Sequence, residues 1–229
     1  HPREESHRFN ELSYWTGLAR TLEQGLLDGV FIAEITGGHD VYQNGLDLTL
    51  KESIQLPSHD PSTLVSAMAA VTQHLGFGVT VNLSYESPYQ FARRFASLDH
   101  LTHGRMGWNI VTGYLDSAER LIGQKGLKDH DLRYEQAEEF LELCYKFWEG
   151  SWEDDAVQKD KLNRVFTDPS KVHAIQHQGK FFQSQGVFQV SPSIQRTPVL
   201  YQAGASSKGL AFATQHAEAM FIGADTPEK

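Results

Sequence analysis

The stretch "QAGASSKG", residues 202–209, puts small residues and two hydroxyls where a strand gives way to a helix. Backbone N–H groups at such a helix start, with Ser206, Ser207 and Lys208, suit a phosphate. Ser206 fits the plain role of a helix N-cap equally well. The spacing is neither GxGxxG nor GxxxxGK[ST], so dinucleotide and ATP readings lose ground. "HDLRY", residues 130–134, sets His130, Arg133 and Tyr134 at another helix start. There Tyr134 can reach a phosphate, and Arg133 a carboxylate or phosphate, although capping and solvation are the commoner fate of such residues. "GGHDVYQNGLD" carries His39, Asp40 and Tyr42 on a loop. Neighbouring His and Asp side chains rarely converge on one ion, and no HxH or HxxxH spacing supports a metal. His100 and His103 stand beside Gly104-Arg105 and read as helix-end caps. Ser-His-Asp hydrolysis lacks a GxSxG elbow. Cys144 sits in an amphipathic pattern as a core residue.

The elements that must position these groups follow from periodicity. Leu12, Trp15, Leu18, Leu22 and Leu26 recur at helical spacing, which predicts a helix over roughly 9–27. "GVFIAE" follows as a short apolar strand, and 35–60 as a polar loop. "DPSTLVSAMAAVTQHL" reads as a helix with Asp60 at the N-cap and Pro61 in first position. "GFGVTVNLSY" is a strand, "SPYQFARRFASLDHL" a helix opened by Ser87 and Pro88, and "RMGWNIVT" a strand. After an irregular stretch, "DLRYEQAEEFLELCYKFWEG" is a helix ending at Gly150. The pattern breaks over 151–197, an excursion in which "HAIQHQGKFFQSQG" predicts a hairpin turning at Gln178-Gly179. "PVLYQAG", "SSKGLAFATQHA" and "AMFIG" then resume strand, helix and strand.

Short, continuously apolar strands alternating with helices call for a parallel sheet covered by helices. Five such strands fit an open doubly wound sheet or part of a (β/α)8 barrel. No apolar strand precedes the first helix and the sequence stops after a strand end. The expectation is therefore an incomplete TIM barrel lacking its first and C-terminal strands, with residues 1–229 forming one partial barrel domain. The 229 residues carry a formal net charge of −9, which argues against a nucleic-acid binder. No run is long and apolar enough for a membrane span, no signal pattern opens the chain, and one cysteine excludes a disulfide framework. A soluble, cytoplasmic protein is expected.

Functional groups in either architecture gather at the carboxyl ends of the strands. Those ends are Ala33-Glu34, Asn82 to Tyr85, Asn109 to Tyr114, and Gln202 to Gly204, and all carry hydrogen-bonding groups.

"RRFASLDHLTHGRMGWNIVTGYLDSAERLIG", "HDLRYEQAEEFLELCYKFWE" and "VLYQAGASSKGLAFA" together resemble the bacterial-luciferase-like flavin-dependent monooxygenases. The branch is that of the nitrilotriacetate, dibenzothiophene-sulfone and long-chain-alkane monooxygenases. The resemblance implies a (β/α)8 barrel with insertions that uses reduced FMN from a separate NAD(P)H:flavin reductase. It further implies that a C4a-(hydro)peroxyflavin formed with O2 passes one oxygen atom to a small or medium organic substrate. Matching positions imply flavin contacts at Ala33, Glu34, Asn82, Asn109 and Thr112, and phosphate contacts at Tyr134, Ser206 and Ser207. Substrate-side, catalytic positions match His39, Gln55 and Tyr114. The family more often has Asp where Glu34 stands, and the alkane branch has Tyr and His where His39 and Tyr114 stand. A homo-oligomer, dimer or tetramer, is expected, with no metal, nucleic-acid or membrane partner. The alternative is a non-catalytic flavin- or ligand-binding relative, or a truncated pseudoenzyme.

Overall fold

Apolar side chains on one face of the strands, Phe77, Val79 and Val81 of one and Met106, Trp108 and Ile110 of the next, form the core against the helices of the connecting segments. The structure, a computed structural model, describes residues 4–223 and 226. The first half of the chain runs α1 (Leu12–Gln24), β1 (Gly29–Ile32), α2 (Asp47–Lys51), α3 (Ser62–Ala69), β2 (Gly76–Asn82), α4 (Pro88–Thr102), β3 (Met106–Val111) and α5 (Asp116–Leu121). The long helix α6 (His130–Gly150) leads into two small hairpins, β4 (Val157–Asp160) with β5 (Val165–Thr167) and β6 (Ile175–Gln178) with β7 (Gln183–Gly186). β8 (Val199–Gln202), α7 (Ser207–His216) and β9 (Ala219–Met220) follow. The five main strands lie parallel in the order β1-β2-β3-β8-β9, part of a (β/α)8 barrel as expected.

The convex face carries the core. Phe77, Trp108, Phe91, Phe95 and Phe140 are fully buried, and the Trp108 ring lies 4.2 Å from that of Phe91. Burying each such side chain stabilises the fold by about 1.5–3 kcal/mol. The Trp108 indole N–H is not stranded there, because it donates to the Val81 carbonyl at 3.0 Å. The concave face alternates with it along the same strands. Gly78 and Gly107 lie there, and a Cβ at Gly107 would stand 2.5 Å from the Tyr201 ring. Their bareness lets Phe31 and Tyr201 meet edge to face at 6.4 Å across two intervening strands.

Several boundaries differ from the periodic pattern for identifiable reasons. The helix expected over 60–75 ends at Ala69. Arg105 takes the carbonyls of Ala69, Thr72 and Leu75, while Glu23 accepts the N–H groups of Gln73, His74 and Leu75. These partners satisfy the backbone outside a helix. The helix starts at Ser62 with Pro61 at its N-cap, one residue later than expected, and Asp60 accepts the Ser62 N–H at 2.9 Å just before it. Helix 9–27 shortens to Leu12–Gln24, and the first strand stops at Ile32. Loop 35–60 contains α2, and the irregular stretch after β3 contains α5. The β6–β7 turn falls at 179–182 rather than at Gln178-Gly179, because Glu139 of α6 accepts the N–H groups of Phe181 and Phe182 at 2.9 and 2.7 Å.

Candidate active site at the strand ends

Strands β2 and β3 pair Thr80 with Asn109 and Asn82 with Val111, so their polar residues rise together on the concave face. Asn109 is 5% exposed, and its Nδ2 donates to the Thr80 hydroxyl at 3.1 Å. Its Oδ1 is buried and accepts no hydrogen bond. A buried, unpaired acceptor costs about 1–3 kcal/mol, so this amide oxygen is stabilised by any ligand that donates to it. Asn82 caps the turn after β2, accepting from the Ser84 N–H at 2.9 Å, and the Ser84 hydroxyl reaches the Thr112 carbonyl at 3.3 Å.

Beyond Thr112 the chain turns at Gly113, with φ +81°. A side chain there is excluded twice over, because a Cβ would sit 2.8 Å from Asn82 Nδ2 and 3.2 Å from Tyr85 Oη. Arg133 donates from Nη1 to the Gly113 carbonyl, while its Nε is buried without a partner. This turn, β1's end and β2's end enclose an open pocket of about 50 Å³. Glu34, Asn82, Tyr85 and Tyr114 supply its polar groups, and Ile35, Val111 and Leu115 its apolar ones.

Burial pushes the Glu34 carboxyl up to about 7; Asp60 and Glu86 repel its charge further, and Arg94 partly offsets them. Burial likewise pushes Tyr85 up to about 12, with Glu119 and Glu34 adding and Arg133 opposing. Glu34 has an ordinary value of 4.5 in the unfolded chain, so the native state holds more protons between about 4.5 and about 7. Its contribution to stability is present below about pH 4.5 and is lost as pH rises through about 7. Urea denaturation midpoints across that range should therefore fall with pH in the wild type, and Glu34→Gln should flatten that slope. An unchanged slope in the variant would refute the assignment.

Loop 35–60 brings the three substrate-side positions together. Ser117 donates to the Gly38 carbonyl at 2.7 Å, Arg120 pairs with Asp40, and Thr49 donates to the His39 carbonyl. So held, His39 Nε2 lies 3.3 Å from Gln55 Oε1, and its ring centroid lies 6.2 Å from that of Tyr114.

The phosphate candidates meet at the start of α7. Ser206 caps this helix, accepting the Gly209 N–H at 3.0 Å, which leaves its own hydroxyl proton free to donate. Tyr134 of α6, 8% exposed, points its hydroxyl at the same place. Any Cβ on Gly204 or Gly209 would come 2.7 or 2.6 Å from Tyr134 Oη, so both glycines are needed for the approach. Ser207 is exposed at the first helical position. Ala33 stands apart, since it lines a different pocket with Phe9, Trp15 and His59. Tyr85 lines the pocket and Gln202 accepts the Gly204 N–H, while Arg133, expected to reach a carboxylate or phosphate, holds the Gly113 carbonyl instead. Tyr85 and Gln202 lie at strand ends that were singled out, yet nothing in residue type separates them from their neighbours.

A parallel half-barrel whose polar groups collect at the strand ends, beside a helix start with spare donors, defines a ligand-binding (β/α)8 enzyme-type scaffold. The model of the luciferase-like monooxygenases matches residues 1–229, and this chain belongs to that family. It is 52% identical over 223 residues to a long-chain alkane monooxygenase of Geobacillus thermodenitrificans, covering 97% of this chain and 51% of that protein. It is 52% identical over 222 residues to a dimethyl-sulfide monooxygenase of Hyphomicrobium sulfonivorans, covering 97% and 46%. Among solved structures, a long-chain alkane monooxygenase superposes with a TM-score of 0.97, at 51% identity, over 100% of this chain and 52% of that one. A riboflavin lyase solved with a modified FMN and riboflavin gives 0.93 at 44% identity, over 99% and 50%. The chain thus spans about half the length of the relatives it matches. These relatives are named as enzymes, which gives the non-catalytic alternative no support.

Proposed function

We propose that this chain builds the flavin-holding part of a two-component, FMNH2-dependent monooxygenase. Residues 1–229 act as one partial barrel domain, with 151–197 as its excursion. The protein works in the cytoplasm as a homo-oligomer, with FMNH2 delivered by a separate NAD(P)H:flavin reductase. One oxygen atom of O2 passes to a small or medium organic substrate. The observation that carries the reading is the pairing of a buried, unsatisfied acceptor, Asn109 Oδ1, with a two-hydroxyl cradle at a helix start. FMN has what each lacks, an N–H edge on its ring and a phosphate dianion at its tail.

In this reading Asn109 accepts from the ring edge, with Glu34, Asn82 and Thr112 along the strand ends. Tyr134 and Ser206 donate to the phosphate, helped by the α7 N–H groups and by Ser207. Bound reduced flavin supplies the reaction with O2. The chain's own work is to orient that ring, to shield it with Ile35, Val111 and Leu115, and to hold substrate between His39, Gln55 and Tyr114. No protein nucleophile is required, in keeping with the lack of a triad among the motifs.

The test supplies the protein with FMN, a flavin reductase, NADH and isotopically labelled O2, and follows thioether and alkane substrates by mass spectrometry. One labelled oxygen per product is expected. Reduced flavin that binds tightly without labelling any product would overturn the oxygenase part of the reading.

A further inference from the structure

The first turn of α6 touches both ends of the proposed flavin position. Tyr134 sends its hydroxyl to the start of α7, within 2.7 Å of where a Cβ on Gly204 or Gly209 would stand. Arg133, one residue earlier and about 100° around the helix, donates from Nη1 to the Gly113 carbonyl in the turn after β3. That turn lies beyond the support of the sheet. β3 ends at Val111, and its pairing with β8 already stops at Ile110. Besides Arg133, the Ser84 hydroxyl ties the turn at the Thr112 carbonyl, at 3.3 Å. The Arg133 Nε is buried without a partner, and its Nη1 goes to a neutral carbonyl although the Glu119 carboxylate lies beside the same glycine. A buried donor left unpaired costs stability. The side chain is therefore placed for the one carbonyl it reaches, not for the number of bonds it makes.

We propose that Arg133 is a positioning residue: by tying the first turn of α6 to the turn after β3, it sets the span between the phosphate cradle and the ring site. The inference rests on the flavin reading above. FMN carries its ring and its phosphate on one molecule, so both ends must be met at one fixed separation. With the turn held, the second contact follows the first without further ordering, and a linked ligand gains over its separate parts. With the turn released, Thr112, Gly113 and Tyr114 can shift against Asn82 and Tyr85, which pack beneath Gly113. Misplacement by about 1 Å costs up to about 100-fold in a preorganised site. Neither end loses a group of its own, since the cradle keeps Tyr134, Ser206 and Ser207 and the ring site keeps Asn82, Asn109 and Thr112. A ligand that engages one end alone lets the freed turn follow it and loses little.

The experiment titrates wild type, Arg133→Gln and Arg133→Lys with FMN, riboflavin and inorganic phosphate, following flavin fluorescence and reading phosphate by its competition with FMN. Arg133→Gln should weaken FMN by about 10- to 100-fold while riboflavin and inorganic phosphate change by less than about 3-fold. Arg133→Lys keeps one donor within reach of the carbonyl and should recover part of the FMN loss. Three results would overturn the inference: a loss of inorganic phosphate equal to that of FMN, which makes Arg133 a phosphate ligand; an equal loss of riboflavin, which makes it a ring contact; or unchanged FMN affinity. Either variant decides by itself, because the reading lies in the ratio of the three ligands, so one that fails to fold leaves the test intact. A wild type that binds no flavin sinks the flavin reading and this inference with it. A wild type that binds FMN beside variants with the wrong ratio sinks this inference alone.

Discussion

Removing both hydroxyls of the anion cradle, Tyr134→Phe with Ser206→Ala, is expected to weaken FMN binding by about 2–4 kcal/mol, or roughly 30- to 1,000-fold. Each hydroxyl donates to a charged oxygen in the proposed complex, and charge-assisted bonds are the strong ones. The two groups share one site, so their losses should not simply add. Ser206 also caps α7, and its loss costs stability whatever its ligand role. Riboflavin, which has no phosphate, separates the two effects. Its affinity should change little in the double variant if the hydroxyls act on phosphate. Fluorescence titration with both flavins reads this directly, and equal losses for FMN and riboflavin would mean that the site had collapsed.

Trp108→Ala should be the most damaging single change in the core, at about 3–5 kcal/mol. The side chain is fully buried, packs on Phe91, Phe95 and Phe140, and satisfies the Val81 carbonyl. Truncation leaves both a cavity and an unpaired acceptor. Trp108 and Asn109 are also neighbours on opposite faces of β3, so a repacked convex face should shift the amide on the concave one. Chemical denaturation measures the loss, and Trp108→Phe should recover part of it by refilling the space. A loss below about 1 kcal/mol for Trp108→Ala would contradict this account of the core.

Much of this was legible in the sequence where local chemistry decides structure. The runs "GFGVTVN" and "RMGWNIV" announce strands that long-range pairing then confirms, and Ser87 and Ser206 cap the helices they start. The barrel class and the polar strand ends followed from alternation and from the ends' composition. What escaped depends on partners distant in the chain. Nothing near residue 70 says that Arg105 will end α3, and nothing near Gly113 says that Arg133 will hold its carbonyl. His39 and Gln55 converge with Tyr114 because Ser117 and Arg120 of α5 pin a loop that reads as merely polar. Ala33 falls outside the pocket that its neighbour Glu34 lines, because the chain leaves β1 at Ile32 and sets Ala33 beside Phe9, Trp15 and His59.

The central claim is that the strand ends of this half-barrel hold reduced FMN. Anaerobic titration of the protein with FMNH2, followed by the change in flavin absorbance and by calorimetry, tests it most directly. Saturable one-to-one binding is predicted, weakened by the Tyr134→Phe, Ser206→Ala pair. No saturation up to about 1 mM, a free energy no better than about −4 kcal/mol, would contradict it.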